Sequence, residues 1–308
     1  MTVGTALLTS NTSNDSPTAL WALWESVPFR ISRGYTLSLM NLERGMELKN
    51  LICCTPKSLP REKLVKAAMT AVAINPLNHA PAHQLLAMDP DFQPTRERIA
   101  VMTLKYWGVG GVKLTVGFLE TTPADLRKRL LLHMNAWAKT ANVRFTETKS
   151  GAQTADVRIA FEGGANGGYW SYIGTDIRHI PKGKQTMNLE AFTMQMPESE
   201  FHRVVRHETG HALGFPHEHM RRALVAKIDP QKAIEYFRRT QGWNEAEVRA
   251  QVLTPIEESS LRGTKADPKS IMCYQIPGEI TKDGKPIIGG LDIDRTDYAF
   301  AASIYPKK

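Results

Sequence analysis

Cysteine is scarce in this 308-residue chain, and long apolar runs are missing from it. The three cysteines are the adjacent Cys53 and Cys54 and the distant Cys273, so their spacing predicts no disulfide framework. An early apolar run at residues 6–8 is too short for the core of a secretory signal. No stretch approaches the length of a membrane span. These absences argue against a disulfide-stabilised scaffold and against a membrane-spanning protein, and they leave the oligomeric state open.

Concentrated basic charge is also missing, although the net charge is +8. Short basic groups such as residues 127–129 lie inside helix-like patterns, where a solvated helix face explains them. No basic segment interleaved with aromatic residues is present, so we expect no nucleic-acid partner. Hydrophobic residues make up 42% and charged residues 23% of the chain, as in folded domains.

Composition and periodicity divide the chain into three predicted regions. Residues 1–20 are rich in Ser, Thr and Asn and are predicted to form a flexible leader. Residues 21–98 form an N-terminal region with a helix over 60–74, for which Ser58 is the predicted cap. A change of composition near residue 99 begins a region of catalytic size that extends to residue 308.

The C-terminal region alternates strand and helix patterns. A strand is predicted over 112–119, followed by a helix with Thr122 as its cap and Pro123 as its first residue. Further strands are predicted at 156–161, at 169–174 and from residue 186. The remaining C-terminal part is expected to be mainly irregular before a last helix near 294–304. The fold class is therefore predicted to be α+β, with a smaller N-terminal region in front.

The stretch HETGHALGFPHEH, residues 207–219, concentrates histidine in a chain that has nine in all. Helical spacing places His207 and His211 one turn apart on the same face, so both imidazoles can reach one ion. Glu208 lies beside them as a candidate general base for a metal-bound water. Gly214 permits the chain to leave the helix, which lets His217 return as a third ligand.

Three nitrogen ligands with an open position are typical of catalytic zinc, whereas structural zinc is usually enclosed by four protein ligands. The competing interpretation is a surface helix with satisfied histidines. A chance match to the long motif in one chain has a frequency of about one in a million at ordinary residue frequencies. We therefore expect one zinc ion per chain, with His202 and His219 outside the ligand set.

The long histidine motif and the later SIMCY, residues 270–274, resemble the metzincin metallopeptidases and, within them, the astacin family. The resemblance implies a metzincin-like domain with a twisted mixed sheet, an edge strand, an active-site helix and a C-terminal subdomain with a methionine turn. It also implies an extracellular location, although no signal peptide pattern is visible. The expected activity is that of a zinc endopeptidase that acts on proteins or peptides.

The resemblance assigns roles to further residues. Met272 would form the apolar floor beneath the metal, and Tyr274 would be an additional, weaker ligand that helps stabilise the oxyanion. Glu218, together with Gly214, would support the site. The strand that carries Tyr169, Trp170, Ser171 and Tyr172 would bind an extended substrate along its edge.

Residues 21–98 are hypothesised to be an inhibitory or chaperoning pro-region. The candidate residues that could block the metal are Cys53, Cys54, Asp89 and Asp91. For each of them the alternative is a structural role, as a buried thiol or a solvated turn acid. A second possible function is a non-catalytic, zinc-stabilised binding module whose cleft is permanently plugged.

Overall fold

The computed structural model describes residues 57–79, 103–255, 266–273 and 275–307, together with positions 54, 95, 96 and 100. These residues all belong to one unit that spans Leu48–Lys308. Several predictions lie outside the described residues: the leader at 1–20, Cys53, Asp89, Asp91 and Tyr274. The division of the chain at residues 20 and 98 stays a prediction.

A five-stranded mixed sheet is the framework of the described chain. Its strands are β1 (Val112–Phe118), β2 (Val143–Glu147), β3 (Val157–Ala160), β4 (Tyr169–Ser171) and β5 (Met187–Leu189). The spatial order is β2-β1-β3-β5-β4, and all pairs are parallel except β4 with β5. The predicted α+β class and the edge position of β4 agree with this arrangement.

Strand β2 was not expected from the sequence. The side chains of Val143 and Phe145 are buried, whereas those of Arg144 and Thr146 are exposed. Alternation over five residues with only two apolar side chains is a weak signal, so the local pattern does not distinguish this segment from a loop. The strand is formed through parallel pairing with β1, which supplies backbone hydrogen bonds that cannot be predicted from the local sequence.

Five longer helices accompany the sheet: α1 (Arg61–Ile74), α2 (Ala124–Met134), α3 (Arg206–Ala212), α4 (Pro230–Gln241) and α5 (Arg295–Ile304). Shorter helical segments are Pro76–Asn78, Asn135–Lys139, Ala152–Thr154, Gly164–Asn166, Gly174–His179, Glu198–Glu200, Phe201–Val205, Glu218–Met220, Arg222–Val225, Glu245–Val248, Arg249–Leu253 and Gly278–Ile280. Within the described residues, none of these helices has the length and apolar character that a membrane crossing requires.

Two predicted helix caps are wrong. Helix α1 is preceded by Pro60, and no side chain caps it, so Ser58 does not have the expected role. Helix α2 begins one residue later than expected because Pro123 is the cap position rather than the first helical residue. The Thr122 hydroxyl donates instead to the carbonyl of Glu120. In both places the fixed backbone angle of proline defines the helix start without a side-chain cap.

The expectation of a mainly irregular C-terminal part did not include α4, which lies there. The Asp229 carboxylate accepts hydrogen bonds from the amides of Gln231 and Lys232, and the helix ends at Gly242 with φ +70°. These are ordinary start and stop signals that the sequence did contain. The last helix, α5, agrees with its prediction and starts with a capping box formed by Asp294 and Asp297.

Two apolar clusters meet at the turn that contains Met272. The larger cluster joins the sheet to α2, α3 and α5 and includes the fully buried Trp137 and Phe215. The smaller cluster surrounds α4 and includes Phe237 and Cys273. Because Met272 and Cys273 are consecutive but belong to different clusters, this turn connects the two parts of the core.

Candidate metal centre

Three imidazoles converge at the C-terminal end of α3. The Nε2 atom of His217 lies 3.2 Å from that of His207 and 3.0 Å from that of His211. All three side chains are buried. Helical spacing brings His207 and His211 together, as predicted, and the turn after the helix returns His217 to them.

Backbone carbonyls fix the orientation of two of these rings. His207 Nδ1 lies 2.6 Å from the carbonyl oxygen of Ile271, and His211 Nδ1 lies 2.8 Å from that of Phe215. A carbonyl can only accept, so each Nδ1 donates and each Nε2 is left with its lone pair directed at the centre. This is the tautomer that a metal-binding histidine needs.

The turn that returns His217 depends on Gly214, which has φ +99°. A Cβ at this position would also lie 2.9 Å from the carbonyl oxygen of Lys105 and 3.0 Å from the Tyr106 ring. The amide of Gly214 donates to the carbonyl of His211, which closes the helix end. Glycine satisfies the left-handed backbone, as the sequence predicted, and it also permits the close packing.

Burial keeps the three imidazoles neutral. It lowers the pKa of His211 to about 4 and holds the pKa values of His207 and His217 well below the usual range. Neutral imidazole is the form that binds a metal ion, so the centre does not have to lose protons at neutral pH. The three-histidine group can therefore hold a metal ion.

Glu208 lies beside this group and is almost completely buried. Burial raises its pKa to about 8, which is partly opposed by a hydrogen bond from Cys54 and by the charge of Arg203. The Cys54 thiol donates to Glu208 Oε2 across 3.6 Å. The sulfur also belongs to the metal-ligating group, in which every potential ligand atom lies within 4.8 Å of the others.

Cys54 and Lys57 lie beside the edge strand of the sheet. Cys54 forms a parallel bridge with Tyr169, and Lys57 forms another with Tyr172, with the same offset between partner numbers. The Lys57 ammonium lies 4.9 Å from the centroid of the Trp170 ring. The predicted substrate strand is therefore paired on its outer side with residues of the N-terminal region.

The methionine turn lies directly under the active-site helix. A Cβ added to Gly210 would overlap the Met272 sulfur and would lie 3.2 Å from the Trp137 ring. The Met272 carbonyl also accepts a hydrogen bond of 2.8 Å from the amide of Glu218. Gly210 is thus needed for close packing between the histidines and the methionine, a requirement that the sequence motif alone did not reveal.

Asp297, on α5, holds this turn and was not anticipated as a site residue. One of its oxygens accepts from the Ser270 hydroxyl at 2.6 Å, and the other accepts from the Ile271 amide at 2.9 Å. Ile271 in turn provides the carbonyl that orients His207. Asp297 is therefore a positioning residue that acts on a histidine through the methionine turn. The capping-box pattern of Asp294 and Asp297 was the available sequence signal.

Replacing Asp297 with alanine is expected to destabilise the fold by about 2–4 kcal/mol, because buried donors lose their acceptor. Zinc affinity should fall as well, since the Ile271 carbonyl loses its support. Thermal unfolding and competition with a zinc chelator measure the two effects. Asp294→Ala is the matched control, because loss of that cap should cost only about 1 kcal/mol. Equal losses of zinc affinity in the two variants would contradict the positioning role.

Glu218 is largely buried beside the centre but does not face it. Its Oε1 accepts from the Asp267 amide at 2.9 Å and lies 3.9 Å from Arg221 Nε. Burial raises the pKa of Glu218 to about 7. The structure places Glu218 on the connection to the methionine turn, where it binds backbone rather than metal.

A buried three-histidine group, an adjacent glutamate, a methionine turn and an edge strand together define a metallopeptidase site. The model of the peptidase family described as Astacin matches residues 104–278. The chain belongs to the astacin family and is a zinc metalloendopeptidase, as its motifs predicted.

Several solved structures are similar to this chain. A structure of myroilysin matches with a TM-score of 0.61 and 30% identity, covering 66% of this chain and 97% of that one. A second myroilysin crystal structure matches with a TM-score of 0.51 and 31% identity, covering 66% and 86%. High choriolytic enzyme 1, a hatching enzyme zinc-protease from the medaka fish Oryzias latipes, has 20% identity and a TM-score of 0.44, covering 65% and 92%. A comparison with curated proteins found no match.

Proposed function

We propose that His207, His211 and His217 bind the catalytic zinc ion and that Glu208 is the general base of peptide hydrolysis. The observation that carries this assignment is the convergence of three neutral Nε2 atoms beside a buried carboxylate. The donor set suits zinc, because three imidazoles with space for a further ligand are typical of catalytic zinc sites. Zinc, when bound there, supplies Lewis-acid polarisation of a carbonyl and a water of lowered pKa.

The side chains of this chain would divide the remaining work. The β4 edge would hold an extended peptide by backbone pairing, so the scissile bond lies across the centre. The positive charge of a bound ion would lower the raised pKa of Glu208 again, so its carboxylate could take a proton from the attacking water and later donate it to the departing amine. Tyr274 would donate to the oxyanion, as the family resemblance implies. Met272 would support the histidines from below through its contact with Gly210.

We also propose that the described conformation is a latent one. Cys54 lies among the three histidines, and the bridges at Cys54 and Lys57 lie along the strand that substrate would need. Thiolate is a good zinc ligand, so Cys54 can close the position that water would otherwise take. Of the four candidates for this role, Cys54 is the one that the described residues support. Residues 21–98 would then act as a pro-region.

The same contacts favour the second candidate function, a binding module whose cleft is permanently plugged. A pro-region and a permanent plug differ in the effect of removing residues 1–98. In the first case, a chain of residues 99–308 would cleave peptides, whereas the full chain would be less active. In the second case, neither chain would cleave.

Zinc content by elemental analysis and cleavage of a quenched peptide, measured on both chains, test the proposed function. We expect zinc in both and faster cleavage by residues 99–308. Circular dichroism should establish that the shortened chain is folded. Zinc binding without cleavage by either folded chain would contradict the catalytic assignment and support the binding module.

A further inference from the structure

A second cluster of potential metal ligands lies at the other end of the active-site helix. His133 on α2 meets Glu198 and His202, which belong to the helical segments that directly precede α3. Glu198 Oε1 lies 3.1 Å from His133 Nε2 and 3.3 Å from His202 Nε2. We propose that these three side chains bind a second divalent transition metal ion, for which zinc fits best. This inference is independent of the catalytic assignment.

The spacing of the ligand atoms supports a common ion. In a tetrahedral zinc site with bonds of about 2.0–2.1 Å, neighbouring ligand atoms lie about 3.3 Å apart. The separations of 3.1 Å and 3.3 Å at Glu198 match this value. They also match the 3.0 Å and 3.2 Å between the Nε2 atoms of the catalytic histidines. Two imidazoles and one carboxylate form a donor set that suits zinc.

His133 has the properties of a ligand that lacks its partner. Its side chain is 1% exposed, and its Nε2 makes no hydrogen bond despite the nearby carboxylate. A buried ring nitrogen without a partner is costly, so it requires an explanation such as an ion. Burial also lowers the pKa of His133 to about 4, which keeps the ring neutral.

His202 and Glu198 leave one side of the cluster open to solvent. Their side chains are 31% and 57% exposed, which provides a route for an ion. His202 Nδ1 lies 3.0 Å from Asp292 Oδ2. Metal-binding histidines usually donate their second ring N–H to a carboxylate, and Asp292 is placed to accept it.

Two arginines set the electrostatic conditions of the cluster. Arg129 Nη2 binds Glu198 Oε2 at 2.6 Å, which leaves Oε1 facing the two imidazoles. Arg206 binds Asp292 at 2.5 Å and donates from Nε to His133 Nδ1 at 3.4 Å. Metal binding through Nε2 places the His133 proton on Nδ1, so the Arg206 Nε–H must turn away from that ring.

The movement of Arg206 away from His133 distinguishes a metal site from a closed ion-pair network, in which the same side chains pair with one another and bind no ion. In such a network, a protonated His202 would bridge Glu198 and Asp292, and Arg206 would stabilise the arrangement. In the metal site, Arg206 opposes binding through its charge and its contact with His133. Arg206→Gln should therefore strengthen binding of the second ion about tenfold, which corresponds to about 1.4 kcal/mol.

Equilibrium dialysis of the metal-free full chain against Zn²⁺, followed by elemental analysis, tests the proposal. We expect two zinc ions per chain for the parent and for His79→Ala, which removes an exposed histidine elsewhere. We expect one for His202→Ala and one for Glu198→Gln. Glu198 is more than half exposed, so this variant should fold even if the histidine variant does not. The melting temperature of both variants should rise less with added zinc than that of the parent.

Other stoichiometries overturn the proposal. One zinc ion per chain in the parent that is also retained by His202→Ala and by Glu198→Gln would establish the closed ion-pair network. Two zinc ions in every variant would place the second ion elsewhere. Loss of the second ion in His79→Ala would show that it binds exposed histidine rather than this cluster.

Discussion

Glu208→Gln is expected to lower kcat/KM for peptide cleavage by about 10²–10⁴-fold, the contribution of a positioned general base. Glutamine has nearly the same shape as glutamate but cannot take a proton from water. The three histidines and their carbonyl partners are unchanged, so zinc content should stay the same. Cleavage and zinc content are measured on residues 99–308, because this chain lacks the N-terminal region that is proposed to inhibit cleavage.

Glu147→Gln is the matched control for this variant. Glu147 is exposed on β2 and pairs with Arg127 at 2.8 Å, an interaction worth at most about 1 kcal/mol. Its loss should leave cleavage unchanged. If Glu208→Gln keeps its zinc and also retains more than a tenth of the parent activity, Glu208 is not the base. Because zinc is measured on the same sample, loss of metal is distinguished from loss of proton transfer.

Local sequence was sufficient to predict the centre of the site. His207 and His211 are one helical turn apart on the chain, and Gly214 marks the turn that returns His217. These relationships extend over eleven residues, so helical geometry and a local glycine turn determine them. The same holds for α5, whose capping box is a local pattern.

Partners that are distant along the chain could not be predicted in the same way. The carbonyl that orients His207 belongs to Ile271, 64 positions away in the methionine turn. Helix α5, which supports the methionine turn through Asp297, begins still later in the chain. Strand β2 cannot be predicted without its pairing with β1, since only two of its five side chains are buried. The contact between Cys54, one of the candidates that could block the metal, and Glu208 joins residues 154 positions apart, so it depends on the whole fold.

The methionine turn explains why its motif requires particular residues. The Ser270 hydroxyl donates to Asp297 and accepts from the amide of Met272, which holds the turn in place. Met272 fills the space that Gly210 leaves under the helix. Sequence resemblance assigned Met272 to this floor, and the contacts give the physical reason. Tyr274, the last residue of the motif, lies outside the described residues, so its role stays a proposal.

Cys54→Ala is expected to raise the rate of peptide cleavage by the full chain at least about tenfold. This corresponds to weakening the inhibitory binding of the N-terminal region at the metal centre by about 1.4 kcal/mol. The variant removes the sulfur that lies among the three histidines. Activation should be partial, because the backbone bridges of residues 54 and 57 with the edge strand do not need the thiol. The initial rate, measured with a quenched peptide and compared with that of residues 99–308, gives the degree of activation.

Cys53→Ala is the matched control, because it removes the neighbouring thiol from the same segment. Replacing zinc with Co²⁺ adds a measurement that does not depend on activity. Thiolate bound to cobalt gives a near-ultraviolet charge-transfer band, which should be present in the parent and in Cys53→Ala but lost in Cys54→Ala. If Cys53→Ala activates the chain and abolishes the band instead, the cysteine that blocks the metal is Cys53. If both variants are as inactive as the parent and the band is missing throughout, inhibition depends on the backbone pairing with β4 rather than on a sulfur ligand.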